Sequence, residues 1–152
     1  MGPTATGVVW GHAASRNLSH WTRLPVAVWN GPAAYDSHAI FTGSVTIVDG
    51  KPVAVYAGRG PNGGYCAATP ADSTDPLYKV WSKTEWAPNP MMHGDDDPST
   101  AWRTAGGEWR LIGNTRDNTG CTRGGCAAVY ASTDFKNWTM VGPVVENPNK
   151  PP

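Results

Sequence analysis

The chain has 152 residues, a length that suits one domain. Its 12 lysines and arginines balance its 12 aspartates and glutamates, so it has no basic excess for binding nucleic-acid phosphates. No apolar run is long enough to span a membrane, and residues 1–6 lack the charged and apolar regions of a signal peptide. Gly and Pro form about a fifth of the chain, which disfavours long helices and favours short strands joined by tight turns.

Strand-like segments separated by turn residues follow one another along the chain. Residues 8–12 and 19–24 are predicted to be the two outer strands of an incomplete first unit. Asp49-Gly50 then supplies the positive φ angles that a type I′ hairpin turn requires. The second unit is predicted to contain the strands 40–48, 52–58, 64–69 and 79–86. Gly106-Gly107 is the corresponding turn of a third unit. The predicted strands of that unit are 98–104, 108–114, 125–131 and 136–142.

A sequence motif recurs before the last strand of each unit. The segments 15–21 and 132–138 share the pattern Ser-x-Asn/Asp-apolar-x-x-Trp, and a looser copy spans 73–81. The closing tryptophans are 60 and 57 residues apart, and the two glycine turns are also 57 residues apart. Two independent markers with a similar period indicate a structural repeat. We expect packing roles within the repeats for the closing tryptophans, which are Trp21, Trp81 and Trp138.

Four-stranded units with a period of 50–60 residues are typical of a β-propeller. The predicted fold is therefore an all-β, partial propeller of about two and a half blades. Because propellers typically carry four to eight blades, we expect the chain to be a fragment of one propeller domain. The alternative is that the chain associates to cover its open edges. The predicted limits are 1–32 for the outer strands of blade one, 33–87 for blade two, 88–146 for blade three and 147–152 for a tail.

Acidic residues come shortly before the predicted innermost strands, whose ends line the centre of a propeller. Asp95, Asp96 and Asp97 precede that strand of the third unit, and Asp36 precedes that of the second. The simpler interpretation is a solvated turn, because Asp97-Pro98 is a favourable turn dipeptide. The functional interpretation is that one carboxylate stabilises a cationic sugar transition state or works with a second carboxylate in glycoside cleavage.

Cysteines and glycosylation sequons leave the cellular compartment open. Cys66, Cys121 and Cys126 lack the spacing and the neighbouring histidine of a zinc site, so no metal is predicted. Cys121 and Cys126 fit either a loop-closing disulfide or two free thiols. The sequons that begin at Asn17 and Asn137 favour a secretory route only weakly, because such triplets are common by chance.

Several longer motifs occur in a fixed order between residues 8 and 145. They are Trp10-Gly-His-Ala13, the 15–21 segment, Phe41-Thr-Gly-Ser44, and Asp96-Asp-Pro98 followed by Thr100-Ala-Trp102. This series resembles glycoside hydrolase family 32, which contains invertases, fructanases and fructosyltransferases. The resemblance implies a five-bladed propeller followed by a β-sandwich. It also implies a retaining mechanism that hydrolyses or transfers β-fructofuranosyl residues of sucrose or fructans, no cofactor, and an extracellular or vacuolar location.

The resemblance implies roles for five residues. Asp97 corresponds to the aspartate of the family's Arg-Asp-Pro motif, which stabilises the oxocarbenium-like transition state. Phe41 and Thr42 correspond to the aromatic and hydroxyl pair that lines the fructose pocket, and Trp10 corresponds to a tryptophan at the pocket rim. Asp96 occupies a substrate-binding position, but it stands where the motif has arginine, so a bidentate donor to sugar hydroxyls is lost there.

Two other parts of the family pattern are absent from these residues. The nucleophile belongs to a Trp-x-Asn-Asp-Pro-Asn-Gly motif and the general acid to a Glu-Cys motif, and neither motif occurs in the chain. Retaining hydrolysis needs two carboxylates roughly 5 Å apart, so we expect the 152 residues alone to be inactive.

Two alternative functions remain. A non-catalytic, carbohydrate-binding propeller would keep the sugar contacts and lose the chemistry. A related glycosidase acting on pentose polymers is disfavoured by the Trp-Gly-His-Ala and Phe-Thr-Gly motifs. The main interpretation and the binding alternative both imply a small carbohydrate as the partner, with no nucleic acid and no membrane.

Overall fold

The computed structural model describes residues 7–83, 86–115 and 126–146. The regular elements in these ranges are ten β-strands, and no helix in them could cross a membrane. The strands are β1 (Trp10–Ser15), β2 (Trp21–Val28), β3 (Ala39–Val48), β4 (Lys51–Arg59), β5 (Gly64–Pro70), β6 (Trp81–Ser82), β7 (Trp102–Arg103), β8 (Trp109–Thr115), β9 (Cys126–Ser132) and β10 (Thr139–Glu146).

The strands form antiparallel sheets whose spatial order follows the chain. β1 and β2 form a two-stranded sheet, β3 to β6 form a four-stranded sheet, and β7 to β10 form another. This arrangement confirms the predicted all-β partial propeller of two and a half blades. The blade limits drawn from the sequence stay a prediction. The predicted tail, Cys121 and residues 84–85 of the predicted strand 79–86 lie outside the described residues.

The two predicted hairpin turns differ in detail. Asp49 and Gly50 both have positive φ, at 47° and 79°, as a type I′ turn requires. In blade three the Gly107 N–H donates to the Thr104 carbonyl at 2.9 Å, and the Thr104 N–H donates to the Glu108 carbonyl at 2.8 Å. Gly107 alone is left-handed there, with φ 85°. This second turn is therefore a longer loop that ends in a bulge, not a two-residue Gly-Gly turn.

The innermost strand of blade three is much shorter than predicted. The Ser99 N–H donates to the Ile112 carbonyl at 2.8 Å, as in a ladder. The return bond goes to a side chain, because the Ile112 N–H donates to Ser99 Oγ at 2.9 Å. The regular ladder consequently begins only at Trp102, although the chain runs beside β8 from residue 99 onward.

The recurrent motif forms one kind of turn, seen most clearly in blade three. Asp134 Oδ1 accepts the backbone N–H groups of Lys136 and Asn137, both at 2.8 Å. Phe135 is left-handed with φ 64°, and its carbonyl accepts Trp138 Nε1 at 2.9 Å. The motif therefore encodes a side chain that satisfies backbone donors and a tryptophan that closes the turn.

The first unit repeats this geometry with Asn17 in place of the acid. Asn17 Oδ1 accepts the N–H groups of Ser19 at 3.1 Å and His20 at 2.9 Å. Leu18 is left-handed with φ 60°, and its carbonyl accepts Trp21 Nε1 at 3.2 Å. The repeat inferred from sequence thus corresponds to a repeated hydrogen-bond pattern.

The packing prediction for the closing tryptophans is wrong for one of them. Trp138 is 8% exposed and lies in the core between blades two and three. Trp81 packs against a second core, which includes Val28 of β2 and Tyr56 of β4. Trp21 is 58% exposed. Its sheet has only two described strands, so the ring is anchored by its hydrogen bond to Leu18 without being buried.

Blades two and three also share hydrogen bonds from hydroxyl side chains of β3. Ser44 Oγ donates to the Ser99 carbonyl at 2.8 Å. The Ala101 N–H donates to Thr46 Oγ1 at 3.0 Å. Because alternate residues of a strand lie on one face, this face of β3 fixes the backbone at the inner edge of blade three.

We predict that Asp134→Asn removes an acid-sensitive part of the stability. The N–H donors of Asn137 and Lys136 hold the pKa of Asp134 well below its usual value. Its contribution is then complete above about pH 4 and is lost as the pH falls through the depressed folded-state pKa. Because the carboxylate is exposed, we expect a difference of about 1 kcal/mol or less.

Thermal unfolding of both proteins between pH 2 and 7 checks this prediction. The wild-type advantage should shrink below about pH 4. The reciprocal variant Asn17→Asp should gain the same acid dependence, since it places a carboxylate in the equivalent turn. A difference in Tm that stays constant over the whole range would contradict the prediction.

Candidate active site

The acidic turn, residues 95–97, is fixed mainly through its backbone. The Asp96 N–H donates to Asn114 Oδ1 at 2.6 Å, and the Asp95 N–H donates to the Asn114 carbonyl at 3.0 Å. Asn114 belongs to β8, the neighbouring strand of the same blade. A single asparagine therefore holds the first two residues of the turn, while their side chains are left to make other contacts.

Tyr65 of β5 fixes the same turn from blade two. Its side chain is fully buried, and its hydroxyl accepts the Asn114 N–H at 2.7 Å. The hydroxyl also lies within donating distance of two carbonyl oxygens, 2.8 Å from Asp96 and 3.1 Å from Asn114. Burial raises the pKa of Tyr65, so it remains a neutral donor. Gly94 and Gly113 lie against its ring, where a Cβ on either would overlap the tyrosine.

Asp97 points its carboxylate at β3. The Thr42 hydroxyl donates to Asp97 Oδ1, which joins the blade-three turn to the innermost strand of blade two. Asp97 is exposed and left-handed, with φ 52°. The residue before a proline normally prefers an extended backbone, so this conformation is held by its surroundings at a cost of about 1–3 kcal/mol.

Trp10 and Phe41 form the aromatic part of the site. Trp10 Nε1 donates to the Phe41 carbonyl at 2.8 Å. The indole also packs edge-on against Tyr56, with ring centroids 6.2 Å apart. The Phe41 ring is 40% exposed. Trp10 thus holds the backbone of Phe41, and the phenyl ring remains accessible to a ligand.

Arg59, at the end of β4, is a site residue that the sequence interpretation missed. Its two terminal nitrogens form ion pairs with different carboxylates, Nη1 with Asp95 and Nη2 with Asp96. The guanidinium carbon lies 4.9 Å from the centre of the Phe41 ring. Burial lowers the pKa of Arg59, but its hydrogen bonds to Asp95 and Asp96 outweigh this and raise it. The sequence feature that could have identified Arg59 is its position as a charged residue at the end of the apolar strand β4, between Gly58 and Gly60.

The contacts form a closed circuit across two blades. Arg59 contacts Phe41 and Asp96, and Thr42 contacts Asp97. The structure therefore brings together all five residues selected from sequence, with Trp10 joined through Phe41. A carboxylate, a hydroxyl, an exposed ring and a guanidinium in one place suit a polyhydroxylated ligand. A cavity of about 360 Å³ opens beside Arg59 and is also lined by Gly58, Gly60, His93 and Asp95, but not by any of the five selected residues.

Asp36, the other acidic candidate, lies away from this circuit and is structural. It is fully buried, and its carboxylate accepts Lys83 Nζ at 2.8 Å and the Tyr56 hydroxyl at 3.0 Å. The Gly31 N–H donates to its second oxygen at 3.0 Å. Cys66 lies nearby, and burial raises the pKa of its thiol to about 12, so it is protonated at neutral pH.

Metal-ligating residues do not cluster in the part of the chain that the structure describes, where no group of three His, Cys, Asp or Glu side chains could hold a metal ion. Of the two described cysteines, Cys66 is a free thiol and Cys126 is disulfide-bonded. The partner of Cys126 lies outside the described residues.

Comparison with known proteins defines the class to which this fold and site belong. Residues 1–150 match the model of the glycosyl hydrolases family 32 N-terminal domain. The chain belongs to glycoside hydrolase family 32.

Plant proteins are among its similar relatives. It is 38% identical to an insoluble isoenzyme of β-fructofuranosidase from Arabidopsis thaliana, over 88% of this chain and 24% of the relative. It is 35% identical to a fructan 6-exohydrolase from Beta vulgaris, over 90% of this chain and 24% of the relative. The chain also resembles the crystal structure of fructan 1-exohydrolase IIa from Cichorium intybus, with TM-score 0.77 and 34% identity. The alignment covers 92% of this chain and 27% of the exohydrolase chain. The chain thus spans about a quarter of these relatives.

We predict that Tyr65→Phe loosens the acidic turn without removing the fold. The change leaves the buried Asn114 N–H without its acceptor, which costs about 1–3 kcal/mol. Amide hydrogen exchange at Asp96 and Asn114 should accelerate. Tyr56→Phe is the matched control, because it also deletes a buried hydroxyl, but that hydroxyl contacts Asp36. Equal exchange rates at both amides in the two variants would contradict the role given to Tyr65.

Proposed function

We propose that the protein acts on β-fructofuranosyl residues of sucrose or fructans, which it hydrolyses or transfers with retention of configuration. Membership of family 32 supports this proposal, as do relatives named β-fructofuranosidase and fructan exohydrolase. The single structural observation that carries it is the contact between Thr42 and Asp97. This contact joins an exposed carboxylate of blade three to the strand of blade two that carries the exposed Phe41 ring.

In this proposal Asp97 stabilises positive charge that develops on the sugar ring. A carboxylate serves best when it is already oriented, because no reorganisation is then needed as charge appears. The Thr42 hydroxyl and the left-handed backbone supply that orientation. Phe41 offers its ring to the apolar face of the sugar, and Trp10 acts through the Phe41 backbone.

Bond cleavage needs two further carboxylates, a nucleophile and a general acid. Neither corresponding family motif occurs in the 152 residues, which match only about a quarter of the length of their relatives. In this proposal the described site binds the fructosyl unit and stabilises the transition state, and turnover requires both missing motifs.

A second candidate function is carbohydrate binding without catalysis. The acid at position 96, where the family motif has arginine, favours it. The release of fructose distinguishes the two functions. A protein that only binds carbohydrate would bind fructosides and release no fructose from them.

We expect the 152-residue chain by itself to release no fructose from sucrose or inulin. The reason is that it lacks both carboxylates of the retaining mechanism. Product analysis by chromatography after long incubation checks this, with a family 32 invertase as the positive control. Fructose release by the purified chain would show that its own carboxylates complete the site.

Asp97→Asn should lower kcat by about 100-fold or more and change KM little, in a form of the protein that carries both catalytic motifs. The amide keeps the hydrogen bond to Thr42 but cannot stabilise a cation as a carboxylate does. Steady-state kinetics on sucrose and 1-kestose measure the effect.

Asp49→Asn is the matched control for Asp97, because Asp49 is also exposed and left-handed, but lies at the opposite end of β3. If Asp97→Asn and Asp49→Asn had similar kcat values, Asp97 would have no role in the transition state and would serve only to form the turn.

A further inference from the structure

We propose that Arg59 is a specificity-determining residue of the fructoside site, whose guanidinium both holds the acidic turn and binds hydroxyls of the sugar. The inference rests on the proposed function and assigns part of it to a strand outside the recognised motifs. The carrying observation is that Arg59 lies between Phe41 and Asp96, inside the circuit that Thr42 and Asp97 complete.

The guanidinium is in a position to touch a ligand as well as the turn. Arginine has five N–H donors in a rigid planar fork. One bond from each terminal nitrogen goes to Asp95 or Asp96, while Nε is buried with no acceptor among the described residues. The second N–H of each terminal nitrogen is thus left for another acceptor. The side chain is 24% exposed, so the fork is accessible to a ligand.

The charge of Arg59 is also needed where it lies. Asp95, Asp96 and Asp97 place three carboxylates in succession, and like charges this close repel one another. Arg59 pairs with the first two, and Thr42 contacts the third. Asp97 is therefore the carboxylate of the turn that remains available for charge developing on a ligand.

Arg59 can supply the guanidinium donor that the family motif has at position 96 and this chain lacks there. The guanidinium reaches the site from β4 of blade two, and Asp96 serves as its anchor. Arg59 and Asp96 form one unit, so the acid at position 96 does not by itself show loss of sugar binding. The ligand that fits is a fructosyl unit that presents hydroxyl oxygens to the fork, with its apolar face towards Phe41.

The test compares fructose affinity, measured by calorimetry, and kinetics on sucrose for four variants of the whole protein. Arg59→Gln should weaken fructose binding about tenfold or more, since it removes charged hydrogen bonds. Arg59→Lys keeps the charge but loses the fork, so it should remain folded and bind less tightly than wild type.

A relocation variant tests whether fructose affinity requires one guanidinium at the site, whichever strand supplies it. Asp96→Arg alone places a second guanidinium against Arg59, so it should not improve affinity. Arg59→Gln combined with Asp96→Arg restores a single guanidinium at the site, and affinity should return to within a few-fold of wild type. A guanidinium at position 96 also lies beside Asp95 and Asp97 and can support the turn. The distinction therefore rests on Arg59→Lys, whose affinity a purely structural Arg59 leaves equal to that of wild type.

Arg103→Gln is the matched control. Arg103 also pairs with a carboxylate and lies over an aromatic ring, Asp49 and Trp109 respectively, at the far end of β3. Affinity unchanged in Arg59→Gln and Arg59→Lys, or absence of rescue in a folded double variant, would overturn the inference and leave the proposed function standing. A wild-type protein that binds no fructoside would overturn both.

Discussion

The Tyr65 hydroxyl is the contact on which the geometry of the candidate site depends. It accepts the Asn114 N–H and lies within donating distance of the Asp96 carbonyl, so one buried oxygen joins blade two to the acidic turn of blade three. Inside a protein an unsatisfied polar group is costly, and this cost ties the turn to one position. Gly94 and Gly113 are required by the same ring, because any side chain there would displace it.

The charges around the acidic turn then determine which of its carboxylates is available to a ligand. Three successive carboxylates would repel one another and disperse if nothing neutralised them. Arg59 takes up two of them from the neighbouring blade, and the third meets a hydroxyl. The site is thus built at a boundary between blades, and each of the two blades helps to orient groups of the other.

Local signals in the sequence predicted the fold well. Asp49-Gly50 encodes its turn through backbone preference alone, and the recurrent motif encodes a turn whose hydrogen bonds are all local. The five selected site residues do lie together. Arg59 and Tyr65 could not be found in this way, because their partners are 36 and 49 residues away and no local pattern links either residue to its partner. The packing prediction for Trp21 was wrong for a related reason, because the burial of a side chain depends on which distant residues pack over its sheet.

The hydroxyl row of β3 has a consequence for how the two blades can vary. Ser44 and Thr46 bond to main-chain atoms at positions 99 and 101, so these two bonds do not depend on which side chains occupy those positions. Thr42 differs, because its partner is the side chain of Asp97. Along this face of β3, two of the three contacts with blade three therefore involve only one side chain, and the third involves two. In homologous chains, substitution at 42 should depend on the residue at 97, whereas substitution at 44 and 46 should not depend on the side chains at 99 and 101.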